Sequence, residues 1–301
     1  MNYQDAELLY DLPDGEYDGR CLGGVRTVTW RAGRQLEIAC FPITCLNREA
    51  RRELKHRKTC KAVDRKNQEY SNRHIMRLIE ANFPEGAAVV TLTYAYPPTD
   101  DYAMMDTAAM SDAYRARRLP WDVERVRMDL RNWLARLRRR VKKVGGDPAR
   151  QFKWLCRIEE GKEPPIPGIP AKYHVHAIIE GPGLDCQTVK AFWEEKHGTC
   201  RVDPLGLRDD GSKRLANYFT KQKTGGRWWR HSRNLKVVRP RLSDRRVSRR
   251  RLSHLACGVL ADGKEILEKL YPGYQLAEPP RVTFSDYVAG AYIYARMRRR
   301  D

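Results

Sequence analysis

Hydrophobic and polar positions divide the chain into recognisable elements. Residues 25–43 alternate apolar with polar, turn at Ala32-Gly33 and stop at Pro42, which predicts short strands. Residues 48–83 read as a basic helix with apolar Ile75, Met76, Leu78 and Ile79, ended by Pro84. Residues 87–94 are β-branched and aromatic, a strand stopped by Pro97-Pro98; 100–119 are polar and irregular, a loop or insertion. The clearest helix is 122–144. There Val123, Val126, Leu130, Trp133, Leu134, Leu137 and Val141 form one stripe between Asp122 and Gly145-Gly146. A strand at 152–158 runs into Glu159-Glu160-Gly161, and a loop with Pro164, Pro165, Pro167 and Pro170 leads to a strand at 173–179. A helix at 186–196, a loop and a helix at 212–222 follow, the last broken by Gly225-Gly226. Residues 281–284 and 291–297 read as strands, although the second also reads as a helix.

Strands separated by amphipathic helices predict an α+β fold, with helices covering one face of a central, mostly antiparallel sheet. Neither GxGxxG nor GxxxxGK[ST] occurs, so hydride transfer and P-loop hydrolysis have no support. No apolar run approaches the roughly 18 residues of a membrane span. The first twenty residues are acidic and lack an apolar signal core, so a cytoplasmic protein without a membrane partner is expected. The eight cysteines are scattered, with no CxxC pair, and read as free thiols.

Charge changes the picture more. The formal net charge is +20, and it is concentrated at 48–66, 136–143 and 213–251. The last stretch holds a single acid, Asp244. Such stripes concentrate polyanions and release counterions on binding phosphates, so a nucleic-acid partner is expected. Charge does not separate DNA from RNA, or an enzyme from a packaging protein.

Three groups of residues carry candidate chemistry. In Tyr173-His174-Val175-His176-Ala177-Ile178-Ile179, strand alternation puts His174 and His176 on one face, about 7 Å apart, where both can reach one metal ion. The plainer alternative is two surface histidines. Glu159 ends the preceding strand, and the Pro-rich loop can bring it beside the pair; Glu160 is the alternative ligand. Two imidazoles and a carboxylate suit Mn²⁺ or Mg²⁺, and Zn²⁺ also accepts them. Tyr218 and Lys221 lie three apart on a predicted helix, where the ammonium favours the phenolate needed for nucleophilic attack. Packing of Tyr218 with Lys221 solvated is the bland reading.

In combination these residues resemble the HUH superfamily of single-strand DNA endonucleases. The similarity is to rolling-circle replication initiators of plasmids and single-stranded phages, including the gene-II-protein-like group. Val90-Thr91-Leu92-Thr93-Tyr94, His174-Val175-His176 and Tyr218-Phe219-Thr220-Lys221 match three motifs in order. Further similarity at Ala81-Asn82-Phe83 and from Arg227 to Leu235 extends it over roughly 67–240. The resemblance implies an HUH endonuclease core at 86–225, an N-terminal extension at 1–85 and a basic accessory region at 226–301. It implies that His174, His176 and Glu159 hold Mn²⁺ or Mg²⁺, that Tyr218 attacks origin DNA, and that Lys221 stabilises charge. The product would be a 5′-phosphotyrosyl link with a 3′-hydroxyl primer, later rejoined.

Positions 214 and 222 hold Arg and Gln, a departure from two-tyrosine initiators that leaves termination open. Thr91, Thr93, Arg214, Arg227, Trp228, Arg230 and Arg233 are the expected DNA contacts, with Trp228 and Trp229 stacking on bases or serving structure. The implied partners are single-stranded or hairpin origin DNA and a host helicase and polymerase. Competing readings are a non-catalytic nucleic-acid-binding protein and an HUH transposase or relaxase.

Overall fold

A computed structural model describes residues 21–44, 60–94, 123–161, 173–207, 210–220, 229–257, 262–285 and 288–300. Among them the strands are β1 (Cys21–Ala32), β2 (Gln35–Thr44), β3 (Ala88–Tyr94), β4 (Lys153–Glu160), β5 (Tyr173–Glu180), β6 (Gly198–Pro204), β7 (Trp229–His231), β8 (Arg241–Ser243), β9 (Tyr274–Leu276), β10 (Arg281–Ser285) and β11 (Val288–Arg299). The helices are α1 (Cys60–Asn82), α2 (Val123–Lys143), α3 (Cys186–Glu194), α4 (Gly211–Thr220), α5 (Arg249–Cys257) and α6 (Asp262–Leu270). The class is α+β. The predicted loop at 100–119, the Pro-rich loop and the Gly225-Gly226 break lie outside the described residues.

Contacts divide the chain into Asn82–Lys236 and a second unit built from Met1–Ala81 together with Val237–Asp301. The expected boundaries at 85 and 225 therefore shift, and the two terminal regions are not separate extensions. The reason is strand pairing, which periodicity does not encode. In the second unit β2 lies against β11, with Cys40 opposite Ile293 and Gln35 opposite Arg298.

That unit's sheet runs β10-β11-β2-β1-β8, with β9 beside β11. One face buries Leu36, Ile38, Ile293 and Met297 against Leu252, Leu255 and Leu267 of α5 and α6. On the other face Glu37, 1% exposed, accepts hydrogen bonds from Arg77 (2.9 and 2.5 Å), the Tyr294 hydroxyl and the Gln35 amide. A carboxylate so deep requires this many donors. The two-sided burial makes 288–299 a strand rather than a helix, and Pro42 falls inside β2 instead of ending it.

The sheet of Asn82–Lys236 has the order β6-β3-β5-β4-β7, with every pair antiparallel. The α2 stripe from Val126 to Val141 packs, with Trp193 of α3, on Val90, Leu92, Ile158, Val175 and Ala177. The predicted α2 stripe is thus the core. Two strands were not legible. β6, Gly-Thr-Cys-Arg-Val-Asp-Pro, buries only Cys200 and so carries no alternating signature, while β7 is three residues long. β4 runs on through Glu160 because Glu159 pairs with His174 and Glu160 with Tyr173. Helices do not cover one face only, since α4 lies over the face opposite α2. Among the described cysteines, Cys40, Cys156, Cys186, Cys200 and Cys257 are free thiols. No described helix is long and apolar enough to cross a membrane.

Candidate active site

β5 is the middle strand of its sheet, so each of its side chains has neighbours on both sides. Alternation sends Val175, Ala177 and Ile179 into the α2 core and His174 and His176 to the other face. Across the strands, Thr91 and Arg157 lie opposite His176, and Thr93 and Glu159 lie opposite His174. Six polar side chains therefore share one sheet face over three adjacent strands. Glu160, one residue on, projects from the reverse face and is exposed. Register thus favours Glu159 over Glu160 as the histidines' companion.

Each imidazole is held from behind. Thr91 Oγ1 is 3.1 Å from His176 Nδ1, and Thr93 Oγ1 is 3.3 Å from His174 Nδ1. If Nδ1–H donates to the threonine, Nε2 keeps its lone pair and faces the site, which is the tautomer a metal ligand needs. His176 is 8% exposed, and burial, only partly opposed by the charge of Glu159, pushes its pKa down to about 4. The ring is therefore neutral near pH 7.

Tyr218 reaches this face from α4. Its hydroxyl is 3.1 Å from His176 Nε2, and the two rings meet edge-to-face with centroids 4.5 Å apart. Glu159 Oε2 lies 3.3 Å from the same nitrogen. The amphipathic pattern of α4 fixes the presentation, since Ala216, Phe219 and Thr220 are buried while Tyr218 remains 43% exposed. Burial, and then the charge of Glu159, raise the Tyr218 pKa above the usual phenol value. The phenol holds its proton in this arrangement, within hydrogen-bonding distance of Nε2 and beside Glu159.

Two features seat α4. The guanidinium of Arg157, buried beside the histidines, donates from Nη1 to the Tyr218 carbonyl at 2.8 Å and satisfies a carbonyl in the helix's last turn. Desolvation lowers the Arg157 pKa, offset by Glu159 and then Tyr218, and the group remains a cation. At the helix start Asp210 has φ of 62°, and a Cβ on Gly211 would sit 1.7 Å from the Gly206 carbonyl oxygen. Only glycine fits there. Arg157 was missed by the sequence reading, although it stands two positions before Glu159 on the same face.

The other expected residues separate. Arg214 is exposed one helical turn before Tyr218. Arg230 and Arg233 are exposed, but Arg230 pairs with Cys156 and so projects toward the α2 side of the sheet. Trp229 is buried at 9% and stacks on His231, with centroids 5.7 Å apart, which is the structural role. Lys221, Arg227 and Trp228 lie outside the described residues.

An imidazole nitrogen, a carboxylate and a phenol oxygen converge here, a donor set whose chemistry suits a divalent cation. As the side chains stand, His176 and Glu159 touch directly. Among the described residues no three His, Cys, Asp or Glu side chains are arranged around one ion position. In comparisons with known proteins, the chain matches no family model, no curated protein and no solved structure.

Proposed function

We propose that the protein is a metal-dependent single-strand DNA endonuclease and strand transferase of the HUH type, acting as a rolling-circle replication initiator. The observation that carries this reading is the Tyr218 hydroxyl at 3.1 Å from His176 Nε2, beside Glu159 on the face of the paired histidines. A phenol, two metal-capable imidazoles and a carboxylate on one face are the groups that metal-assisted attack on a phosphate uses. The five-stranded antiparallel sheet, with the histidines on its middle strand, suits an HUH core.

In this reading Tyr218 Oη attacks the scissile phosphorus and the P–O3′ bond breaks. A 5′-phosphotyrosine forms, and the phenol proton ends on the departing 3′ oxygen. Attack by a 3′-hydroxyl on that linkage reverses the step and rejoins the strand. The divalent ion, Mn²⁺ or Mg²⁺, would be held by His174, His176 and Glu159 and would supply polarisation of the phosphate. Thr91 and Thr93 hold the imidazoles in the ligating tautomer, and Arg157 holds the carbonyl of the nucleophile's own residue. Lys221 is assigned charge stabilisation by resemblance alone.

The test is a denaturing gel. Wild-type protein, Mn²⁺ and single-stranded origin DNA should give a covalent protein–DNA band. Tyr218→Phe should abolish it, at least ~10³-fold, while keeping affinity within about 2-fold, because phosphate contacts dominate binding. A wild-type protein that binds DNA without any adduct would instead be a binding protein only.

A further inference from the structure

On the α2 side of the same sheet, away from Tyr218, the unit Asn82–Lys236 carries a cleft of ≈ 870 Å³. Its walls include Arg131 and Arg138 of α2 and Arg230 and Arg233 around β7, with half-buried Trp154 and the apolar Phe152 between them. Arg131 and Arg138 are two helical turns apart, about 10.5 Å, along one edge.

Among the described residues the charge in this cleft is uncompensated. On the same helix Arg125 pairs with Asp129, Arg127 with Glu124 and Arg136 with Glu195. Among the described residues no carboxylate pairs with Arg131, Arg138, Arg230 or Arg233. The opposite wall is also held in place. Ser232 exchanges two hydrogen bonds with the Trp154 backbone, at 2.9 and 3.1 Å, and the Asn234 amide donates to the carbonyls of Arg150 and Phe152 at 3.1 Å. Four guanidiniums, none paired with a carboxylate among the described residues, around an indole match phosphates and an unpaired base. A duplex keeps its bases stacked inside and cannot use the indole.

We propose that this cleft is a second site for single-stranded nucleic acid. The four arginines hold its phosphates, and one base stacks on Trp154. β7 is the edge strand, so a strand leaving the cleft passes round that edge to the Tyr218 face. This direction of travel rests on the proposed function; binding in the cleft does not.

The full-length chain tests it, with oligodeoxythymidine of about 16 nucleotides followed by fluorescence anisotropy. Arg131 and Arg138 are exposed, so the double variant Arg131→Ala/Arg138→Ala should fold, as checked by its melting curve. Expected is roughly 10-fold weaker binding and a fall of about 1.4 in the slope of log K against log salt, the loss of two phosphate contacts. Trp154→Phe should bind, while losing part of the tryptophan quenching that DNA produces in the wild type. Arg127→Ala, already paired with Glu124, should change the slope by less than the double variant. An unchanged affinity and slope in the double variant overturns the proposal, as does an equal loss from Arg127→Ala. A wild type that forms no adduct overturns the enzyme reading and leaves this test standing. An adduct with unaltered binding in the double variant overturns the cleft alone.

Discussion

His176 is the residue on which the site turns. Its ring lies between Thr91 on one side and Tyr218 and Glu159 on the other, and burial keeps it neutral with a pKa near 4. The unfolded chain would bind that proton near 6.5. The unfolded state therefore takes up the proton first, and stability is complete above about 6.5 and drains away as pH falls toward 4. Urea midpoints measured in EDTA should decline over that window, and His176→Asn should flatten the decline. On the proposed function, Thr91→Val removes the partner of Nδ1 and frees the ring to turn. Mn²⁺ affinity by calorimetry should fall about 10–100-fold while the melting temperature moves little. An unaltered affinity would mean the hydroxyl does not orient the ring.

At the scale of elements, α4 delivers Tyr218 to the histidine face and both its ends are constrained. Gly211→Ala would drive a Cβ into the Gly206 carbonyl, so the helix start has to shift and Tyr218 with it. Arg157 acts at the other end through the Tyr218 carbonyl. Arg157→Met keeps much of the side-chain volume and removes the donor. On the proposed function it should slow adduct formation by about 10²-fold, because small misplacements of a reacting group are costly. DNA affinity should remain close to wild type. A parallel loss of affinity and rate, with a lowered melting temperature, would instead mark Arg157 as a general fold determinant.

At the scale of the molecule, one unit is continuous in sequence and the other is assembled from both ends. The first and last residues of the continuous unit meet: the Asn82 amide donates to the Lys236 carbonyl at 2.9 Å, and the Lys236 N–H returns to Asn82 Oδ1 at 2.6 Å. A fragment spanning 82–236 should fold alone, with cooperative melting, and on the proposed function should retain adduct formation. A fragment spanning 1–81 should not fold, because β2 would expose the edge that β11 covers. Circular dichroism of the two fragments distinguishes these outcomes.

The α2 stripe, the strands at β3 and β5 and the facing of the two histidines were legible because each follows from local periodicity of 3.6 or 2. Tyr218 was legible as a residue placed after the histidine strand, but nothing local brings the two within hydrogen-bonding distance. That required α4 to cross the polar face of the sheet, with its last turn on Arg157. The choice of Glu159 over Glu160 likewise rested on register between β4 and β5, since a shift by one residue exchanges the two faces. Edge strands β6 and β7 stayed hidden because exposed or very short strands leave no apolar alternation. The union of both chain ends in one sheet stayed hidden because pairing partners distant in sequence leave no local trace. Sequence alone thus determined which side chains were available and which face each would take within its element; tertiary packing decided which faces meet, because that depends on contacts between residues far apart in the chain.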